Sequence, residues 1–258
     1  MSFQLAELLG FGQSALIVGF FVFLRVGAAM ALLPAFGERS VPERVRLFLG
    51  FAFTLIVAPA SALQIETALA DPMRASAMVF SEPIAGLVLG GAVRLFILAL
   101  QIAGSMAAQS TSLAQIFGGA NSDPQPAIGH VLLVSGLALA VMLGLHVRLA
   151  ELFILSYEVM PAGQFVAGDI LSQWALDLVA RIFGLAFTLA APFLIASLIY
   201  NVALGVINRA MPQLMVAFVG APAITAGGLI LLFVCAPLLL PLWVDALVAF
   251  LDRPFGEP

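Results

Sequence analysis

The sequence has 258 residues, of which 63% are hydrophobic and only 9% charged, and its mean hydropathy is +1.15. Soluble domains carry about a quarter charged residues, so this composition indicates an integral membrane protein. The ten basic residues are all arginine, which excludes a Walker-type phosphate loop and Schiff-base chemistry because both need a lysine. A net charge of −4 and a pI near 5.0 argue against binding to nucleic acid.

The gaps between charged residues predict an all-α, polytopic membrane protein that forms a single domain over residues 1–258. A helix that crosses a bilayer needs about 20 mostly apolar residues, and six uncharged or nearly uncharged runs reach that length. The six predicted spans are approximately 14–36, 46–64, 79–104, 128–147, 180–207 and 214–242.

The segment 149–181 differs from the spans because four acids are spread along it, with Tyr157 and Trp174 near the ends of its helical parts. Acidic and aromatic side chains around a Pro-Ala-Gly turn are typical of an interface with water. We therefore expect an interfacial helical hairpin that faces water.

The arginines do not settle the orientation in the membrane. Arg39, Arg44 and Arg46 indicate that the first loop is cytoplasmic. Counted over six spans, however, the arginines divide equally between the two sides, four against four.

Small residues four positions apart and several helix breakers mark places where helices approach closely or bend. Small-residue stripes let helix backbones pack within one chain or against other subunits, and the sequence leaves both alternatives open. Helix breakers late in the chain are expected to interrupt the membrane helices. The stripes are Gly86/Gly90, Gly136/Ala140/Gly144 and Ala186/Ala190, and the breakers are Pro192, Pro212, Gly220, Pro222, Pro237 and Pro241.

Arg25 and Arg94 lie well inside apolar runs, where an unpaired guanidinium costs at least a few kcal/mol. Glu82 is the acid nearest to Arg94 in sequence, but twelve positions place it three turns away and about 120° around the helix. Arg94 therefore needs a partner from elsewhere. An internal ion pair and a subunit contact or pore lining remain equally good explanations for both arginines.

No catalytic or metal site is evident, so we expect neither an enzyme nor a cofactor. His130 and His146 are placed on one predicted helix about 160° apart, and no Cys or carboxylate stands at ligand spacing beside either. The sequence contains no HExxH, GxSxG, CxxC or GxGxxG motif.

The segment between the third and fourth spans, QSTSLAQIFGGANSDPQPAIG (109–129), is long, polar and carries one formal charge, Asp123. Its two consecutive glycines and two prolines predict a loop. A solvent-exposed linker is one alternative for such a composition.

Three blocks of the sequence resemble the FliR family of flagellar export-gate proteins, whose injectisome members are called SctT. The blocks are LLPAFGERSVPERVRL (32–47), SEPIAGLVLGGAVRLFILALQIAG (81–104) and NRAMPQLMVAFVGAPAITAGGLIL (208–231). The resemblance covers nearly the whole chain. It departs from the family at Met215, where an Asn often follows the Pro-Gln-Leu run, and in the loop 109–129.

The resemblance implies a non-enzymatic subunit of the flagellar type III export gate in the bacterial inner membrane, at the flagellar basal body. Such a subunit assembles with FliP-like and FliQ-like proteins into a pore for unfolded flagellar subunits, alongside FlhB-like and FlhA-like export components. A small-molecule permease subunit is the alternative, and GERSVPERVR (37–46) is a candidate coupling segment for it. An intramembrane enzyme would need converging catalytic groups at one depth, which the sequence does not offer.

The resemblance also implies that the loop after the third span projects into the pore as a plug. Glycines would give it flexibility, apolar side chains would close the empty pore, and polar ones would keep the open pore wet. The candidate plug residues are Gly104, Met106, Gln109, Leu113, Gln115, Ile116, Phe117, Gly118, Gly119 and Asn121. The candidates for subunit contacts or buried charges are Arg25, Arg39, Arg44, Glu82, Arg94, Arg209 and Gln213.

Overall fold

The computed structural model describes residues 2–37, 41–111, 127–210 and 216–256. Within these ranges the regular elements are all helices and no strand occurs, which confirms the all-α class. The helices are α1 (Ser2–Met30), α2 (Glu43–Leu69), α3 (Pro72–Thr111), α4 (Ala127–Met142), α5 (Leu145–Val159), α6 (Gly168–Ala210) and α7 (Val216–Asp252).

Five of the described helices are long and apolar enough to cross a membrane, and the number becomes six if α4 and α5 together form one bent span. α4 and α5 meet at an angle of 73°. Gly144, between them, has a φ of 84°, a left-handed conformation that L-residues with a Cβ rarely adopt. The predicted span 128–147 is therefore wrong as a single straight helix, and His130 and His146 lie on different helices.

Apart from α4, the helices are longer than the predicted spans because charged residues do not end them. α3 begins at Pro72 rather than at 79, and α7 continues past Asp245 to Asp252. The expected breaks at Pro192, Pro237 and Pro241 were also wrong, since each proline lies inside α6 or α7. An apolar helix tolerates a proline where neighbouring helices or side chains satisfy the carbonyl that it leaves free.

Contacts between residues divide the chain into two compact units. Unit 1 comprises residues 1–95, 141–178 and 248–258, and unit 2 comprises residues 96–140 and 179–247. Each is built from pieces distant in sequence. The single domain expected from the sequence stays a prediction.

Unit 1 is held together by a tight crossing of α1 and α3. A Cβ atom added at Gly86 would lie 2.0 Å from the Arg25 carbonyl oxygen, and one at Gly90 would lie 2.6 Å from the Ala29 carbonyl oxygen. This stripe of small residues therefore packs within the chain rather than against another subunit. Phe53 of α2 adds an edge-to-face contact with Phe153 of α5, with ring centroids 6.1 Å apart.

The segment 149–181 forms the end of α5, a turn and the start of α6, and the packing of these two helices as a hairpin stays a prediction. Its expected exposure to water was wrong for much of α5, because Leu149, Leu152 and Phe153 are fully buried in unit 1. These residues recur every three to four positions and form one apolar face. The acids at the other positions led to the wrong expectation that the whole segment faces water.

Unit 2 has its own core around Trp243 of α7, which is fully buried. The indole Nε1 donates a hydrogen bond of 2.7 Å to the Phe96 carbonyl oxygen of α3. Gly136 of α4 faces the same indole, and a Cβ atom there would lie 2.6 Å from Leu100 Cδ1. The second small-residue stripe thus also makes room for side chains of the same chain.

Candidate functional site

The largest buried polar cluster in unit 1 is centred on Arg25 of α1 and Glu82 of α3. The Arg25 Nε atom lies 2.8 Å from Glu82 Oε2, and the two side chains are 1% and 0% exposed. Both residues were singled out from the sequence as buried-charge candidates. The structure shows that Arg25 forms an internal ion pair.

Arg25 makes two further hydrogen bonds, to the end of α5 and to the residue that follows it. Arg25 Nη1 donates to Ser156 Oγ and Nη2 donates to the Met160 carbonyl oxygen, each at 2.9 Å. The guanidinium carbon lies 3.6 Å from the centre of the Tyr157 ring. We name these residues, Arg25, Glu82, Ser156, Tyr157 and Met160, the arginine cluster.

The arginine cluster joins three helices that are distant in sequence. A buried ion pair is tolerated when additional hydrogen bonds satisfy its partners, and here the guanidinium has two besides the bond to Glu82 itself. The cation over the Tyr157 ring adds a favourable contact in a desolvated site. The arrangement is suited to fixing three helices relative to one another.

Sequence reasoning missed Ser156, Tyr157 and the Met160 carbonyl because it placed their segment at a water interface. The available signal was the pair Ser156–Tyr157 within the otherwise apolar run FILSYEV. A hydroxyl and a phenol on the buried face of an amphipathic helix indicate a polar partner.

Arg94 finds a different environment from Arg25. Its Nη1 atom lies 3.4 Å from the Leu32 carbonyl oxygen, in the turn that follows α1, and the side chain is partly buried. A second arginine reaches the same turn, since Arg46 Nη2 lies 3.3 Å from the Gly37 carbonyl oxygen. As expected, the partner of Arg94 comes from outside its own helix.

The other charged candidates are not brought together. Arg44, in the first turn of α2, and Arg209, in the last turn of α6, are both exposed. Arg39 and Gln213 lie outside the described residues.

The second candidate site is the base of the loop between α3 and α4. Gly104 of α3 and Gly129 of α4 face each other so closely that a Cβ atom at Gly104 would lie 2.2 Å from the Gly129 Cα. Gly104 was expected to supply flexibility to the loop. Instead it lies buried within α3, where its missing side chain permits two helices to touch.

Only part of the predicted plug falls within the described residues. Met106, which is partly buried, and Gln109, which is exposed, lie on α3 between the glycine contact and the end of the helix. The candidates that lie outside the described residues are Leu113, Gln115, Ile116, Phe117, Gly118, Gly119 and Asn121.

A hydroxyl group of α6 is hydrogen-bonded to the last described turn of α3. Ser197 Oγ donates a hydrogen bond to the Ser110 carbonyl oxygen, and Asn201 Nδ2 donates to Ser197 Oγ at 3.2 Å. Among the described residues, no group of three or more His, Cys, Asp or Glu is arranged to hold a metal ion.

Comparison with known proteins decides the family. Residues 16–249 match the family described as bacterial export proteins, family 1. That range contains the arginine cluster, the glycine contact and the end of α3. The chain belongs to this export family.

Curated relatives in the export family carry the name flagellar biosynthetic protein FliR. The protein from Caulobacter vibrioides is 30% identical over 233 residues, which cover 90% of this chain and 93% of that protein. The protein from Bacillus subtilis is 29% identical, covering 83% and 84% of the two chains. The protein from Escherichia coli K12 is 27% identical, covering 86% and 85%.

These matches confirm the resemblance to FliR that three blocks of the sequence indicated. Together with the five or six long apolar helices, they make the chain a multi-pass membrane protein of the FliR family. A small-molecule permease subunit is not favoured, because both the family and the relatives concern export and flagellar biosynthesis.

Proposed function

We propose that this chain is a non-enzymatic subunit of the flagellar type III protein export gate. With FliP-like and FliQ-like subunits it forms the pore through which unfolded flagellar proteins leave the cell, and it works beside FlhA-like and FlhB-like components. Its place is the bacterial inner membrane at the flagellar basal body.

The observation that carries this proposal is the match to FliR proteins over nearly the whole chain. The relatives from Caulobacter, Bacillus and Escherichia are all named as flagellar proteins. That agreement favours the flagellar gate over an injectisome gate. The family match covers residues 16–249, which include most of both units.

The lengths and surfaces of the helices support an assembly with other apolar subunits. A regular helix with the 43 residues of α6 measures about 64 Å, whereas the hydrocarbon core of a bilayer is about 30 Å thick. Five aliphatic side chains on one part of α6 are 59–65% exposed, namely Ile195, Leu198, Ile199, Val202 and Val206. A helix longer than the bilayer is thick extends beyond the hydrocarbon, so its exposed apolar side chains need protein partners as well as lipid to cover them.

Within the gate, the loop between α3 and α4 serves as the plug of the pore. The support is its composition, with one formal charge in residues 109–129, together with its attachment at a tightly packed base. A nearly neutral plug does not trap a passing chain electrostatically, and apolar side chains close an empty channel by excluding water. The close contact of Gly104 with Gly129 gives such a plug a fixed origin.

Co-purification of the tagged chain from native membranes, followed by mass spectrometry, tests the proposal. We expect FliP-like and FliQ-like proteins in fixed stoichiometry with the chain. A chain that purifies alone as a homodimer, or with a nucleotide-hydrolysing subunit, would contradict the gate and restore the permease alternative. A tagged unrelated polytopic protein from the same membranes controls for nonspecific capture.

A further inference from the structure

One hydrogen bond joins α6 to the last described turn of α3, and its residues are not among the plug candidates named from the sequence. Ser197 is buried, with 7% of its surface exposed, and its Oγ reaches the Ser110 carbonyl oxygen across 87 positions of sequence. Asn201, one turn further along α6, donates its side-chain amide to the same Oγ. The Ser110 hydroxyl is turned back to the Ala107 carbonyl oxygen, at 2.7 Å.

The physical need for such contacts comes from the position of Ser110 in α3. Side chains of other elements often bond the carbonyl groups near the end of a helix, and Ser110 lies in the last described turn of α3. In apolar surroundings a carbonyl without a hydrogen bond is costly. A hydroxyl from another helix satisfies it and at the same time ties the helix end to that partner.

The two α6 side chains act in sequence. The Asn201 amide donates to Ser197 Oγ, so it occupies a lone pair of that oxygen and leaves the hydroxyl hydrogen to point at the Ser110 carbonyl. Ser197 and Asn201 are four positions apart and therefore lie on the same face of α6. The pair forms a short hydrogen-bonded chain that ends on the backbone of α3.

We propose that Ser197 and Asn201 are positioning residues that fix the end of α3 and so set the point from which the following loop leaves. This rests on the proposed function, because the consequence of the positioning is the seal made by the plug. Ser197 makes the contact itself, and Asn201 acts through Ser197.

The test uses the assembled export complex with Ser197→Ala, which removes one oxygen atom and leaves the packing volume nearly unchanged. Hydrogen–deuterium exchange of peptides covering residues 105–111 reports the opening of the α3 end. Loss of one hydrogen bond of this kind corresponds to about a fivefold faster exchange. We expect that increase for Ser197→Ala and a smaller one for Asn201→Ala, with unchanged complex yield.

Ser172→Ala is the matched control, because it is the same substitution on the same helix. The Ser172 hydroxyl donates to the Asp169 carbonyl of its own helix, at 2.9 Å, and exchange in residues 105–111 should not change. If Ser197→Ala leaves that exchange unchanged in the assembled complex, the positioning role is overturned. If both variants fail to assemble, Ser197→Thr, which keeps the hydroxyl, must restore assembly and slow exchange, and failure to do so also overturns it.

Ion conductance of the same complexes in a planar bilayer separates this inference from the proposed function. Faster exchange at the end of α3 together with a raised leak supports both the positioning residues and the plug. Faster exchange without a raised leak supports the positioning residues and counts against the plug.

Discussion

Arg25 and Glu82, 57 positions apart in the sequence, form an ion pair whose two side chains are almost completely buried. The pair connects α1 to α3 at the level where Gly86 lets the two backbones touch. Through Ser156 and the Met160 carbonyl it also holds the end of α5. One arginine thus fixes three helices of unit 1.

Removing one member of this pair should be strongly destabilising. Arg25→Ala leaves the Glu82 carboxylate buried without its cation, and such changes cost about 3–5 kcal/mol. We expect the complex to unfold at a clearly lower temperature, measured by scanning fluorimetry in detergent. The double variant Arg25→Leu with Glu82→Leu removes both charges and should cost less than the sum of the two single variants.

The exposed pair between Arg148 and Asp252 provides the control for that experiment. Its side chains are 32% and 53% exposed, and pairs near the surface contribute about 0–1 kcal/mol. Arg148→Ala should therefore shift the unfolding temperature little. A loss from Arg25→Ala no larger than that from Arg148→Ala would show that the arginine cluster does not hold unit 1 together.

The helices themselves could be predicted from the sequence because hydrocarbon-length apolar runs have few explanations other than membrane helices. The ends of the helices could not be predicted. Runs without charged residues locate the apolar middle of a helix, but the backbone hydrogen bonds continue past charged residues at either side. Gly144 illustrates this, because it looked like one member of a small-residue stripe and proved to be the bend between α4 and α5.

Two members of the candidate site, Arg25 and Glu82, could be named from the sequence, but their pairing could not. The position of Arg25 in an apolar run required a partner for it. Their pairing depends on how α1 crosses α3, which no local sequence pattern specifies. Ser156 contacts Arg25 because the apolar face of α5 is buried in unit 1. Gly104 was expected to make the loop flexible, whereas it permits α3 to pack closely on α4. The sequence did not indicate this, because its contact partner Gly129 lies on the other side of the loop in the sequence.

The glycine contact at the base of the loop should not tolerate a methyl group. In Gly104→Ala the new Cβ would meet the backbone of Gly129, so α3 and α4 must separate, at an expected cost of about 1–3 kcal/mol. Thermal unfolding of the assembled complex measures the loss. Gly205→Ala in α6 is the control, because a Cβ atom there meets nothing within 4 Å in the chain.

For Gly205→Ala we expect no loss and a gain of up to about 1 kcal/mol, since alanine favours a helix more than glycine does. Equal losses from both substitutions would mean that the contact between Gly104 and Gly129 is not specifically important. A loss from Gly205→Ala alone would indicate a packing partner at that open position instead.

Shortening the loop between α3 and α4 should open a leak without preventing assembly. Deleting residues 112–122 removes the apolar side chains of Leu113, Ile116 and Phe117 and none of the described residues of α3 or α4. We expect normal complex yield and increased conductance for small ions in a planar bilayer. A variant of unchanged length with Leu113, Ile116 and Phe117 replaced by serine separates the volume of the loop from its length.

If the plug works by filling the pore with apolar side chains, the serine variant should leak as the deletion does. A leak from the deletion alone would assign the seal to loop length. Unchanged conductance in both assembled complexes would contradict the plug and leave the loop as a linker.

Arg94→Ala should weaken assembly of the gate rather than any later step. The Arg94 guanidinium is partly buried and its Nη1 lies 3.4 Å from the Leu32 carbonyl oxygen, a long contact that leaves its other donors for a neighbouring subunit. We expect a reduced yield of the complex, measured by co-purification with the partner subunits. Arg74→Ala, which removes an exposed arginine 3.6 Å from Asp71, should leave the yield unchanged. A normal yield of the Arg94→Ala complex combined with lost export of flagellar subunits would place Arg94 in the pore instead, because a pore-lining charge acts on the passing chain and not on assembly.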